Sequence, residues 1–222
     1  VTSTNSSVLQ VEIWSDIACP WCFIGKTRFA AALAEFDRRD RVEVTWRSYQ
    51  LSPETPVGSG ERELDALVRM KGLPAEQVAV MFERVAGVAA ADGLTIDFDT
   101  VIAANTFDAH RLVHIASAQG LGDEVLSSLF VAHFTQGRVV DDISVLVELA
   151  ERAGVKGASD ALARGEGADE VRSDLALARE VQVSGVPFFV ADRRMVVSGA
   201  QQVEVFAQLL DRGFVELDGD RR

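Results

Sequence analysis

Apolar positions at Val8, Leu9, Val11 and Ile13 alternate in part with polar ones up to Trp14, the pattern of a buried β-strand. Cys19-Pro20-Trp21-Cys22 follows at once, and Phe29, Leu33 and Phe36 then recur at i, i+4 and i+7. That spacing predicts a helix over 19–37, with Pro20 tolerated because it falls in the first turn. Val42-Glu43-Val44-Thr45-Trp46 alternates again and predicts a second strand. Residues 8–50 therefore read as strand–helix–strand, the strands parallel and joined by a right-handed crossover.

The period then changes. Residues 52–60 are rich in Ser, Pro and Gly and form a loop, after which nearly everything is helical in period as far as residue 182. Helices are expected over 61–71 and 74–91, parted at Gly72. A longer one, capped by Asp99 or Thr100 and ending before Gly120, would turn Ile102, Ala109, Leu112, Val113 and Ala116 inward. Others are expected over 122–136, 142–153 and 169–182, the last burying Val171, Leu175, Ala178 and Val181. Asp141-Asp142 reads as a helix start rather than a metal site. Strand chemistry returns over 186–191 and 195–197, around an Asp192-Arg193-Arg194 turn, and a helix over 202–211 sets Val205, Leu209 and Leu210 on the sheet. The order predicts an α/β chain: a small mixed sheet flanked by helices and interrupted by a large all-helical insertion. The expected boundaries are 8–57, 58–167 and 168–217.

Composition narrows the function. Of 222 residues 48% are hydrophobic and 25% charged, which is globular rather than disordered. A net charge of −12, with basic groups no denser than Arg38-Arg39-Asp40-Arg41 and Arg193-Arg194, argues against nucleic acid or anionic lipid as a partner. No apolar run approaches the length that spans a bilayer, and residues 1–7 lack the basic and apolar regions of a secretory signal. A soluble, cytoplasmic protein is expected, with a frayed tail over 217–222. Two cysteines exclude a disulfide-rich scaffold, and both sit in one Cys-x-x-Cys.

That motif alone fits zinc, an iron–sulfur cluster or dithiol chemistry. Its context favours the last. A cysteine at a helix start directly after a strand meets unpaired N–H groups and the positive end of the helix dipole, which stabilise a thiolate nucleophile. Cys22, one turn on, is placed to resolve the mixed disulfide, while Pro20 and Trp21 tune the potential. Zinc needs four ligands; only His110 and His114, at i, i+4, stand ready to complete a Cys2His2 set. Asp16 can cap the turn before the helix or relay a proton, and Lys26 reads as a solvated helix face, although it can also favour the thiolate electrostatically. His110 is expected at the surface, although it can lend a proton near the thiols. Asn105, expected within a helix, either lines the cleft over Cys19 or ties two helices together. Phe188 and Phe189 read as core.

The run Trp14-Ser15-Asp16-Ile17-Ala18-Cys19-Pro20-Trp21-Cys22-Phe23-Ile24-Gly25-Lys26 carries a family likeness. So do Asn105-Thr106-Phe107-Asp108-Ala109-His110-Arg111-Leu112, Gly185-Val186-Pro187 and Ser198-Gly199-Ala200-Gln201. Over about residues 8–212 the chain resembles the DsbA-like thiol–disulfide oxidoreductases of thioredoxin fold, and within them the FrnE-type branch. The resemblance implies Cys19 as nucleophile, Cys22 as resolving thiol, and a cis Pro187 that presents the Val186 backbone to an extended substrate. Pro20 and Trp21 complete the substrate-facing rim. It also implies protein thiols or glutathione as partners, no cofactor beyond the redox-active disulfide, no metal, and a monomer or homodimer. Trp21 stands where oxidants of the DsbA type often carry His, so a weaker oxidant is expected, with a potential below about −120 mV. The rival readings are a glutathione-dependent isomerase or transferase of the kappa type (2-hydroxychromene-2-carboxylate isomerase-like), which typically carries Ser at the first thiol, and a redox-inert zinc or binding module.

Overall fold

The computed structural model describes residues 8–219; the polar leader 1–7 and residues 220–222 lie outside the described residues. Strand β1 (Leu9–Ser15) pairs in parallel with β2 (Val42–Ser48), in register Leu9 to Val42 through Ser15 to Ser48. On its other side β1 pairs antiparallel with β3 (Phe188–Ala191), which pairs antiparallel with β4 (Met195–Ser198). The sheet order is β2-β1-β3-β4. The β3–β4 turn needs positive φ at both central residues, and Asp192 (48°) and Arg193 (57°) supply it without glycine.

Helix α1 (Pro20–Ala34) stops before Phe36, short of the predicted end, because the chain turns into a 3₁₀ segment over Arg39–Arg41. Leu9, Val11 and Ile13 of β1 pack with Phe29 of α1, Phe189 of β3, and Phe206 and Phe214 of α9 (Val203–Gly219). Phe189 is buried core as read from the sequence, whereas Phe188 is only partly buried, edge-on to Trp14. Helix α9 runs well past 211, and Leu217, expected in a frayed tail, lies within it against this core.

Between the sheet halves lie α2 (Glu63–Lys71), α3 (Ala75–Ala91), α4 (Phe107–Ser117), α5 (Gly122–Phe130), α6 (Ile143–Arg152), α7 (Ala158–Ala163) and α8 (Ala168–Glu180). Asp142 caps α6, accepting the Ser144 N–H at 2.8 Å, so the Asp141-Asp142 pair does open a helix. Helix α7 was not foreseen. The long helix expected from residue 99 begins instead at Phe107. Residues 101–103 are extended, bridging Arg62 to Ile102, with the Glu63 N–H on the Val101 carbonyl and the Ala103 N–H on that of Glu61. Ile102 thus belongs to a strand-like pair, and its helical spacing to Ala109 is coincidental. Val181 is exposed because α8 ends at Glu180; Val183 takes the inward place.

Helix α5 continues as a π-turn over Val131–Thr135, marked by the Gln136 N–H on the Val131 carbonyl five residues back. Phe23 of α1 stacks on Phe130 and Phe134 at centroid distances of 5.2 and 6.2 Å. Cys19, Cys22, Phe23 and Ile24 consequently belong to the core of the helical block, while Phe29 and Ala32 farther along α1 serve the sheet. Among the described residues no helix is long and apolar enough to cross a membrane.

Candidate active site

Helix α1 opens at Pro20, with Cys19 at its N-cap in extended conformation (φ −98°, ψ 111°) and no side-chain cap. The free N–H groups and positive dipole of the first turn therefore lie at Cys19. Both cysteines are free thiols. The Cys19 thiol donates to the Val186 carbonyl at 3.6 Å, and the Val186–Pro187 peptide is cis. Trp21 is 37% exposed beside them, whereas Cys22 is 1% exposed.

Burial and the neighbouring Cys19 push the Cys22 thiol well above its ordinary range. The Asp16 N–H, 3.5 Å from the Cys22 sulfur, works against this, as does the adjacent Ser15 hydroxyl, which is buried without a completed hydrogen bond. Cys22 is thus a thiol that needs help to ionise, while Cys19 sits at the helix end.

Asp16 is the polar centre behind the pair. It does not cap α1. Its Oδ2 accepts the Leu51 N–H at 2.7 Å and its Oδ1 the Ala18 N–H at 3.4 Å, so it joins the β1–α1 turn to the segment after β2. His110 Nε2 lies 3.4 Å from Asp16 Oδ1 and donates to the Tyr49 carbonyl at 2.8 Å. Burial works against ionisation of Asp16, but His110, the Leu51 N–H and Thr106 together outweigh it and hold the carboxyl below the usual range.

Three sequence expectations need correction here, and one rival pairing is not formed. His110 is buried against Asp16 rather than at the surface, because α4 packs its polar face onto the β1–α1 turn. Asn105 precedes α4: its Oδ1 accepts the Phe107 N–H and its amide donates to the Pro53 and Thr55 carbonyls, which ties down the loop after β2. Lys26 is buried, not solvated; its Nζ is 2.8 Å from Asp123 of α5 and 5.3 Å from the Trp46 ring centre. The zinc pairing of His110 with His114 is not assembled, since His114 turns to Ser48 and Asp174, 3.0 Å from each. Among the described residues no three His, Cys, Asp or Glu side chains come together as metal ligands.

Other contacts hold the Pro187 loop. The Gly199 N–H donates to the Pro187 carbonyl at 2.8 Å, and Arg28 spans from Asp92 of the helical block to the Ala200 carbonyl, 2.8 Å at each end. Gly25 faces Pro187 so closely that a Cβ would lie 2.8 Å from the proline Cγ. A Gly25→Val variant is expected to push the loop off α1, destabilising the protein by about 1–3 kcal/mol. Thermal melts would check it; an unchanged midpoint would mean that the contact is slack.

Three residues escaped the sequence reading: His133, Glu63 and Asp174. His133 is fully buried in the π-turn, with neither ring nitrogen hydrogen-bonded within the protein, and burial lowers it to about 4. Glu63, first residue of α2, is raised to about 7 by burial and then by the charges of Asp16 and Glu61. Asp174 of α8 was hidden in a polar-looking helix, though it is 2% exposed. A groove of 1410 Å³ along β2, lined by Leu33, Val44, Trp46 and Asp174 among others, excludes both cysteines.

The family model of the DSBA-like thioredoxin domain matches residues 10–211. The chain belongs to this DsbA-like thioredoxin family. A probable DsbA oxidoreductase from Streptomyces coelicolor is 41% identical, with a TM-score of 0.87 over 94% of this chain and 91% of that one. The uncharacterized protein YwbO of Bacillus subtilis (strain 168) is 30% identical over 91% of this chain and 96% of its own. The cytosolic disulfide reductase DsbM of Pseudomonas aeruginosa, in a structure with GSH, shares the fold at 20% identity and a TM-score of 0.63, covering 96% of this chain and all of that one. In this DsbA-like protein the two sheet segments carry Cys19, Cys22 and Pro187, and the helical block supplies His110, which lies against Asp16.

Proposed function

We propose that this DsbA-like oxidoreductase exchanges thiols and disulfides through Cys19 and Cys22, and that it works in the cytoplasm as a reductant or isomerase. The observation that carries the reading is the Cys19 thiol at the N-cap of α1, 3.6 Å from the Val186 carbonyl and backed by the buried Cys22. Cys19 as thiolate attacks one sulfur of a substrate disulfide, and the other sulfur leaves as a thiolate that takes up a proton. Cys22 loses its proton and attacks the Cys19 sulfur, releasing the remaining substrate thiol and leaving the Cys19–Cys22 disulfide. The substrate has gained two electrons. Two further thiols, from glutathione or a protein dithiol, return the pair to its starting state.

Val186 and Pro187 support the substrate strand, and Trp21 offers an apolar rim. The absence of a cation between the cysteines favours a reducing potential, because nothing in the intervening dipeptide stabilises the thiolate form further. The motifs around Trp14–Lys26 and Asn105–Leu112 support placement in the FrnE-type branch, and the location of DsbM is compatible with a cytoplasmic setting.

Insulin reduction by dithiothreitol tests the activity. The wild type is expected to accelerate it and Cys19→Ser to abolish the acceleration; equal rates in the two would remove the redox reading. Equilibration with glutathione then gives the potential, expected below about −120 mV.

A further inference from the structure

Strand β2 forms one edge of the sheet, and among the described residues no strand pairs on its outer side. Its backbone groups alternate in direction. The Tyr49 N–H, just past the strand, donates to the Ser15 carbonyl of β1 at 3.0 Å, so the N–H groups of Glu43, Thr45 and Arg47 point inward with it. Those of Val42, Val44, Trp46 and Ser48 point outward. Two of these are taken: the Val42 N–H donates to the Arg39 carbonyl, and the Ser48 N–H to Asp174 Oδ2 at 2.9 Å. Val44 and Trp46 each keep an outward N–H and an outward carbonyl with no partner among the described residues. They lie on the floor of the 1410 Å³ groove along β2. A bare edge of this kind is a template for another strand.

The strand is matched to itself. In an antiparallel pair related by a twofold axis, the axis falls on one residue and its neighbours face each other's copies. With the axis at Thr45, Val44 faces Trp46 of the other copy, and the two exchange both hydrogen bonds. Symmetry repeats the exchange, so every free group on both edges is paired. The neighbouring registers fail. An axis at Val44 sets Trp46 against Val42, and one at Trp46 sets Val44 against Ser48, whose N–H groups are already bonded. The Thr45 register also sets Glu43 of one copy across from Arg47 of the other, opposite charges on the same face. Charge along the groove follows the same symmetry. Arg39 lies at the Val42 end, while Asp123, bonded to the Trp46 indole at 3.0 Å, and Glu170, one turn before Asp174, lie at the other. Rotation about the axis brings each end onto its opposite. On the α1 wall, exposed Ala30 and Ala34 flank Leu33 and leave room for α1 to approach its copy.

We propose that β2 is a homodimer edge: two copies pair antiparallel through Val44 and Trp46, with Thr45 on the twofold axis, joining the two four-stranded sheets into one. Neither cysteine lines the groove, so the association does not draw on the thiols.

Analytical ultracentrifugation from about 1 to about 100 µM tests the association; a concentration-dependent dimer is expected, and a monomer throughout would overturn the proposal. Crosslinking in a Cys19→Ser, Cys22→Ser background tests the register. Facing Thr45 Cα atoms would lie about 4.5 Å apart, within the span of a disulfide. Mild oxidation of Thr45→Cys is therefore expected to give a covalent dimer. Glu43→Cys, whose copies would lie more than about 13 Å apart, is expected to give none. Equal crosslinking in both variants, or none in Thr45→Cys, would overturn the register. Thr45→Lys places two cations on the axis and is expected to weaken the dimer about tenfold or more, with an unchanged circular dichroism spectrum. A dimer as tight as wild type in that variant would show that another face associates and would overturn the proposal equally. Should Thr45→Lys misfold, crosslinking decides alone. A chain that stays monomeric yet binds an extended peptide along Val44 and Trp46 would assign the edge to a different partner and overturn the self-pairing.

Discussion

An Asp174→Ala variant is expected to lose about 3–5 kcal/mol of stability, a large part of what holds a domain folded. The buried Asp174 carboxylate accepts the Ser48 N–H and Arg47 Nη1 at 2.9 Å each, and His114 Nε2 lies 3.0 Å away. Removing it takes the acceptor from the Ser48 N–H and leaves Arg47 to Glu12 and His114 to the Ser48 hydroxyl. These bonds lock α8 onto the edge strand β2, and α8 leads through Val183 to Val186. The same variant should therefore also weaken thiol exchange. Asp174→Asn, which keeps an acceptor, is expected to cost less. Urea unfolding would measure both; a loss below about 1 kcal/mol for the alanine would show that the donors find other partners.

The second large effect is expected in the pH dependence of stability, where Glu63 and His133 oppose each other. Glu63 is raised by burial and by Asp16 from the ordinary 4.5 to about 7, so its contribution is full below 4.5 and is lost as pH rises through 7. His133 is lowered by burial from 6.5 to about 4, so its neutral form costs nothing above 6.5, and stability falls as pH drops from there toward 4. Each amounts to about 3–4 kcal/mol at roughly 1.4 kcal/mol per pH unit. The wild type should be nearly flat between pH 4.5 and 6.5. Below 3.8 it should weaken, as Asp16 and Asp174, both held low in the fold against the opposing effect of burial, take up protons. Glu63→Gln should unmask the loss toward acid and His133→Phe the gain. Urea midpoints across this range would show it, and two variants running parallel to the wild type would refute the opposition.

The sheet segments were legible because their signals are local. Alternation over Val11 and Ile13, a proline at the first helical position and the apolar run at 188–191 each specify a neighbour-to-neighbour pattern, and β1, α1 and β3 follow it. Legibility failed where distant segments decide. Thr100 to Ala104 carries helical spacing, yet pairing with residues 61–63 holds part of it extended. His110 and Lys26 look like surface residues until α4 and α5 fold over the cysteine turn. His133 gave no signal at all, since a single polar residue in an otherwise apolar stretch reads the same whether it faces water or a buried charge. The cysteine pair was visible in the chain; the buried contacts of Asp16 with Leu51 and His110 behind it were not.

Val11 of β1 pairs with Ala191 of β3, across a chain separation that contains the whole helical block. Contacts so remote in sequence are slow to form, whereas helices that touch near neighbours assemble early. During synthesis the cysteine turn emerges first and the strand that completes its sheet almost last. Until residues 188–191 dock, β1 offers an open edge and Cys19 lacks the Val186 carbonyl. The helical block, whose core already includes Cys22 and Phe23, is the part of the molecule able to shelter the thiols during that interval. The contact that completes the site, Cys19 on the Val186 carbonyl, thus waits on a segment made almost last.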